Sequence, residues 1–98
     1  MQQLLYSPAA LSDLGGIYDY TFEVWGLEQA EHYLRQLNKT CLSLAAEETT
    51  GHRVDFIRQG YFKKRCGSHF IFYRHPNPNI MEVVRILHQR MDIEAHLI

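Results

Sequence analysis

Six histidines are the residues best suited to proton transfer or metal binding. None stands at a ligand spacing with another histidine, a cysteine or an acid, which argues against a zinc site. The chain carries no HExxH, no GxSxG and no glycine-rich phosphate loop. Ser68 and His69 are chain neighbours, and neighbours alone do not make a nucleophile and its base. A turn serine beside a half-buried histidine describes them better. Two clusters remain. In the first, Arg85 is followed by His88 and Arg90. A histidine with arginines on a sheet has the chemistry to cleave RNA: His88 would move a proton and Arg85 would stabilise phosphorane charge. The plainer alternative pairs Arg85 with an acid such as Glu82 or Asp55 and leaves His88 as a hydrogen-bonded core residue. The second cluster is Lys63-Lys64-Arg65. On a strand, Lys63 and Arg65 share a face with Tyr61, while Lys64 lies with Phe62 and Cys66. That pattern fits either a solvated edge strand whose lysines deter aggregation or a site for an anionic partner. On these grounds no catalytic residue, metal site or cofactor is assigned.

The elements that must position these residues follow from periodicity. Gln3–Tyr6 reads as a short strand. Ser7-Pro8 is a strong helix start, with Ser7 as N-cap and Pro8 at the first helical position. Leu11, Leu14, Tyr18, Phe22 and Trp25 then recur at helical spacing as one apolar stripe. Gly15 and Gly16 interrupt this helix at about 1 kcal/mol each relative to Ala, a cost that close packing against a neighbour would explain. Gly26 ends it. A second helix runs from Leu27 to about Ala46, with a stripe of Ala30, Tyr33, Leu34, Leu37, Cys41 and Leu44. The join is so short that the helices form an antiparallel hairpin, and both stripes need a sheet to pack on. The period then changes. Arg53–Ile57, Tyr61–Cys66, Phe70–His75 and Ile80–Leu87 read as strands separated by Gln59-Gly60, Gly67-Ser68 and Pro76-Asn77-Pro78-Asn79. Such short connections imply an antiparallel meander. Asp92–Ile98 reads as a final short helix with Asp92 as its cap and Ile93, Leu97 and Ile98 on one side. It is too short to hold itself, so it is expected to be weakly docked and available to a target. The fold class is α+β: an N-terminal strand, an antiparallel helical hairpin on an antiparallel sheet, and a short C-terminal helix or tail.

The 98 residues, 46% hydrophobic and 21% charged, suit one globular domain. The longest apolar run, Phe70–Tyr73, is far too short for a membrane span, and Met1–Tyr6 does not read as a signal peptide. Cys41 and Cys66 lack CxxC spacing and read as reduced thiols of a cytoplasmic protein. The net charge of −1 hides an asymmetry. Residues 1–50 hold two bases against seven acids, and residues 51–98 hold eight bases against four acids, giving −5 and +4. The basic half favours an anionic partner, a nucleic acid or an acidic protein segment.

Ser7-Pro8-Ala9-Ala10-x-x-Asp13-Leu14 and Trp25-Gly26, followed by Gln29-Ala30 and Tyr33, resemble the first half of the ParE branch of the RelE/ParE superfamily. The later blocks are more specific: Ile57-Arg58-Gln59-Gly60-Tyr61, Gly67-Ser68-His69-Phe70-Ile71-Phe72-Tyr73, and Val84-Arg85-Ile86-Leu87-His88-Gln89-Arg90-Met91-Asp92. In order and spacing they are similar to that family's signatures across nearly the whole chain, one ParE-like toxin domain over residues 1–98. The resemblance implies a small cytoplasmic bacterial toxin of a type II toxin–antitoxin system that poisons DNA gyrase by binding. It implies an acidic ParD-like antitoxin whose C-terminal segment, disordered when free, wraps the toxin in a hetero-oligomer. The RelE branch instead cleaves mRNA on the ribosome, using basic residues on the sheet and a Tyr or His near the end of the last strand. Arg58, Arg65, Arg85 and His88 mimic that set in part, but no tyrosine follows Arg85. A plain interaction module is the third reading. The residues expected to bind antitoxin or target are Arg58, Tyr61, Lys63, Arg65, Arg85, His88, Arg90, Ile93 and Leu97.

Overall fold

Where the chain leaves its first strand, a hydrogen-bonding serine turns it directly into a helix. In the computed structural model, which describes residues 1–97, strand β1 (Gln3–Tyr6) is followed by helix α1 (Pro8–Trp25). The Ser7 hydroxyl accepts from the Ala10 N–H at 3.0 Å and donates to the Val84 carbonyl at 2.7 Å. The cap is worth about 1 kcal/mol, and its second bond staples the helix start to the sheet. Gly26, at φ 93°, ends α1 and opens helix α2 (Leu27–Ala45), a conformation that costs glycine little. The remaining elements are strands β2 (His52–Arg53), β3 (Phe62–Cys66), β4 (His69–Asn77) and β5 (Ile80–His88), then helix α3 (Ile93–Leu97).

The five strands lie in the order β1-β5-β4-β3-β2. The meander β2 to β5 is antiparallel as expected, but β1 pairs with β5 in parallel, so the sheet is mixed. The parallel pair is possible because α1 and α2 supply the crossover back to the sheet. The expected strand over Arg53–Ile57 shrinks to His52–Arg53. Beyond it Val54 is buried and its carbonyl accepts from the Ile57 and Arg58 N–H groups, so the chain coils inward rather than extending. The β3–β4 hairpin turns on Gly67 at φ 58°, and a side chain there would also strike the Tyr33 ring.

Each face of the sheet carries its own apolar cluster. Ile71, Tyr73, Met81, Val83 and Ile86 face the helices and pack with Ile17, Leu37, Cys41 and Leu44. Burial pushes the Cys41 thiol up to about 11, which makes it an inert core residue. Phe72 and Leu87 face the other way and are covered by Val54 and Leu97, with Ile57, Tyr61, Phe70 and Ile93 around them.

The α2 stripe packs as its spacing indicates, but the α1 stripe does so only in part, through Leu14. Leu11, Phe22 and Trp25 are exposed, and the buried positions are Ala10, Ile17 and Thr21. Small side chains bring α1 close to the sheet at a rotation that the larger residues would obstruct. Gly15 and Gly16 correct another expectation: a Cβ at either would meet nothing within 4 Å, so neither serves close packing within the chain. No helix of the described residues is long and apolar enough to cross a membrane.

Candidate functional site

The residues singled out from the sequence fall on two sides of the sheet. Lys63 and Arg65 pair in register with Phe72 and Phe70 on the face away from the helical hairpin. The Lys63 ammonium stands 4.6 Å from the centre of the Phe70 ring and the Arg65 guanidinium 6.0 Å from it. Arg65 also donates to the Gly67 carbonyl at 3.1 Å and to Gln89 at 2.6 Å. Arg58 stacks 5.2 Å over Tyr61, whose ring is half-buried against the second cluster. The strand is an edge only in part, since β2 covers it at Phe62 and Lys63 and leaves Lys64 to Cys66 unpaired on that side. This basic, aromatic face is where Arg58, Tyr61, Lys63 and Arg65 come together.

Helix α3 lies on the same side. Leu97 is 4% exposed and sits with Phe72, Leu87 and Val54, while Ile93 packs at the margin. Arg58 donates to the Leu97 carbonyl at 2.9 Å and Arg85 to the His96 carbonyl at 3.4 Å. Two guanidinium groups at the carboxyl end of a helix are placed where its last carbonyls need donors. Asp92 caps the other end, accepting from the Ala95 N–H at 3.4 Å. The tail is therefore docked; Ile98, expected on the same side, lies outside the described residues.

Arg85 is paired with an acid, as the plainer reading expects, but not with either acid named for it. Its acid is neither Glu82, which pairs with Arg74, nor Asp55, which pairs with Arg53. It is Asp13 of α1, held bidentately at 2.8 and 2.9 Å. Asp13 also accepts the Ile86 N–H at 2.9 Å. The local reason is topological. β1 stops opposite Val83, so the β5 edge beyond it has no strand partner, and Ser7 and Asp13 take over its hydrogen bonds. The neighbouring carboxylate raises the Arg85 guanidinium further above its ordinary value. Arg85 thus holds α1, β5 and α3 together, and its charge is already balanced.

His88 lies on the helix side of the sheet, opposite the basic cluster, in a cleft of about 690 Å³ between α1, the start of α2 and the ends of β4 and β5. Its ring meets that of His69 edge-on, 5.2 Å between centres. The His88 Nδ1 accepts from the Arg90 N–H at 3.1 Å. The Tyr33 hydroxyl accepts from the Ser68 N–H at 3.0 Å and lies 2.6 Å from the His69 Nδ1. Burial, with His88 alongside, lowers His69 from its ordinary 6.5 to about 4. The Tyr33 hydroxyl also reaches the Cys66 carbonyl at 3.3 Å, and the tautomer of His69 sets which group donates in the Tyr33–His69 bond. Two imidazoles engaged by neighbours, beside an arginine already paired, are poorly equipped to pass a proton and bind a phosphorane together. Arg90 is exposed beyond the strand and makes no ion pair among the described residues.

Sequence reasoning passed over Asp13, Tyr20 and Trp25, which line this cleft. Asp13 lies in the α1 start motif, and its contact across 72 residues leaves no local signal. Trp25 was placed in the core stripe, yet it is 70% exposed.

The family model described as "ParE toxin of type II toxin-antitoxin system, parDE" matches residues 4–93. The chain is 46% identical over 93 residues to "Toxin ParE1" of Mycobacterium tuberculosis, covering 95% of each chain. It is 37% identical over 97 residues to "Toxin ParE1" of Caulobacter vibrioides, covering 99% of each. Among solved structures it is similar in fold to one described as "Chromosomal ParDE TA system from P. aeruginosa". That match has a TM-score of 0.76 and 20% identity, and covers 90% of this chain and 96% of that one.

Proposed function

The chain belongs to the ParE toxin family of type II toxin–antitoxin systems, and on that premise we propose that it poisons DNA gyrase by binding, with no active site of its own. Neutralisation is by an acidic, ParD-like antitoxin within a cytoplasmic hetero-oligomer. The observation that carries the binding mode is the closed Asp13–Arg85 pair, with side chains 14% and 25% exposed. An mRNA-cleaving relative of this fold would need that arginine free to meet phosphate. The antitoxin assignment is supported by the opposite face, where Lys63, Arg65 and Arg58 stand over Phe70 and Tyr61. Cations spread on aromatic rings suit an acidic segment that folds as it binds and covers a large area. The free thiols of Cys41 and Cys66 fit a reducing compartment.

The test uses purified toxin with gyrase, supercoiled DNA and ATP. Cleaved-DNA complexes should accumulate as toxin is added. Unchanged supercoiling and cleavage at large toxin excess would remove gyrase as the target while leaving the family assignment in place. A-site cleavage of mRNA that disappears in His88→Ala would replace the binding mechanism with a nuclease.

A further inference from the structure

The tip of the helical hairpin exposes more aromatic surface than a water-facing helix needs. Tyr20 is 67% and Trp25 70% exposed, with Phe22, Val24 and Leu27 exposed beside them. Large apolar side chains gathered at one exposed end of a hairpin mark a candidate interaction site. Tyr20 and Trp25 also wall the cleft that His69 and His88 close at its far end. Gly16 lies on its α1 wall, and a side chain there would project into open space. Glycine in a helix interior costs about 1 kcal/mol relative to Ala, and no contact within the chain uses its smallness. Something outside the chain can use it, by approaching the α1 backbone.

The charge around this surface indicates what approaches. Asp19, Glu23 and Glu28 are exposed and make no ion pair among the described residues. Carboxylates and exposed aromatic faces both favour cations. A second copy of this hairpin tip would bring like charges together, and an acidic antitoxin segment would be repelled. An enzyme that handles DNA, by contrast, carries basic surface to meet phosphate.

We propose that this cleft and hairpin tip form the target-docking surface, which takes a basic segment of the target protein whose lysine or arginine side chains stack on Trp25 and Tyr20. The proposal rests on the toxin reading above and adds the surface and the partner's chemistry. Toxin and antitoxin then meet on the basic side of the sheet, and toxin and target on the acidic one.

Growth arrest after induction in bacteria, at matched expression, tests it with three variants whose changes all point into solvent. They are Gly16→Leu, Trp25→Ala with Tyr20→Ala, and Asp19→Lys with Glu23→Lys. Each should need about tenfold more toxin for the same arrest, the scale on which interface anchors act. Gly16→Leu should do so while melting no lower than the parent, since leucine is the better helix former; loss of potency without loss of stability is not what a structural role would give. Full potency in Gly16→Leu or in the alanine pair would remove the surface. Full potency in the lysine pair would remove the basic partner. Variants that stay potent but escape the antitoxin would assign the surface to the antitoxin and overturn the proposal. If the alanine pair does not fold, Gly16→Leu and the lysine pair decide. A parent chain that does not arrest growth would refute the toxin reading itself, an outcome separate from any variant effect.

Discussion

Asp13 receives two bonds from Arg85 and one from the Ile86 N–H, so this single carboxylate balances the charge of a conspicuous arginine. Asp13→Ala would leave a half-buried guanidinium with only the His96 carbonyl at 3.4 Å, and the Ile86 N–H without its partner. Breaking one side of such a pair costs about 3 kcal/mol, read as a lower urea midpoint; a loss under about 1 kcal/mol would contradict the role. His69 gives a pH signature. Its folded value of about 4 lies below its ordinary 6.5, so the unfolded chain binds the extra proton more readily. The stabilisation is therefore present above pH 6.5 and is lost as pH falls toward 4. The melting temperature should decline across that window in the parent, and less so in His69→Gln. Equal declines would show that His69 is not the group responsible. At this scale the sequence identified chemistry but not neighbours. Lys63, Arg65 and Tyr61 were placed together correctly, because strand alternation is local. The separation of His88 from them, and the partner of Arg85, depend on topology that no short spacing encodes.

Among the elements, those with a local cause were legible. Ser7-Pro8 marked the α1 start, Gly67-Ser68 the β3–β4 turn, and the α2 stripe its buried face. Helix α1 carries apolar residues on more than one face, so periodicity alone chose the larger set, whereas the sheet accepts Ala10, Ile17 and Thr21. The strand expected at Arg53–Ile57 failed for a similar reason: Val54 is buried by turning inward, a solution that a β-branched residue allows but does not announce. The C-terminal element was foreseen as a helix too short to stand alone, and the structure supplies its anchors in Leu97, Arg58 and Arg85. Leu97→Ala should cost about 2 kcal/mol and lower the melting point by about 10 °C. A shift under about 2 °C would mean that α3 is not docked in solution.

For the molecule as a whole, the uneven charge of the two halves becomes a division of surfaces, with a basic, aromatic face under α3 and an acidic, aromatic hairpin tip beside the cleft. An acidic antitoxin should associate quickly with the first, and more slowly as salt rises. Lys63→Glu with Arg65→Glu should slow association about tenfold at low salt and flatten the salt dependence. An association rate indifferent to both changes would move the antitoxin elsewhere. The central claim, that this toxin acts by binding a DNA-handling enzyme rather than by cutting RNA, is tested most directly in living cells. Bacteria induced to make the chain are pulse-labelled with thymidine and with methionine over the first minutes. DNA synthesis should stop first while protein synthesis continues. Translation that fails first, with DNA synthesis following later, would contradict the account.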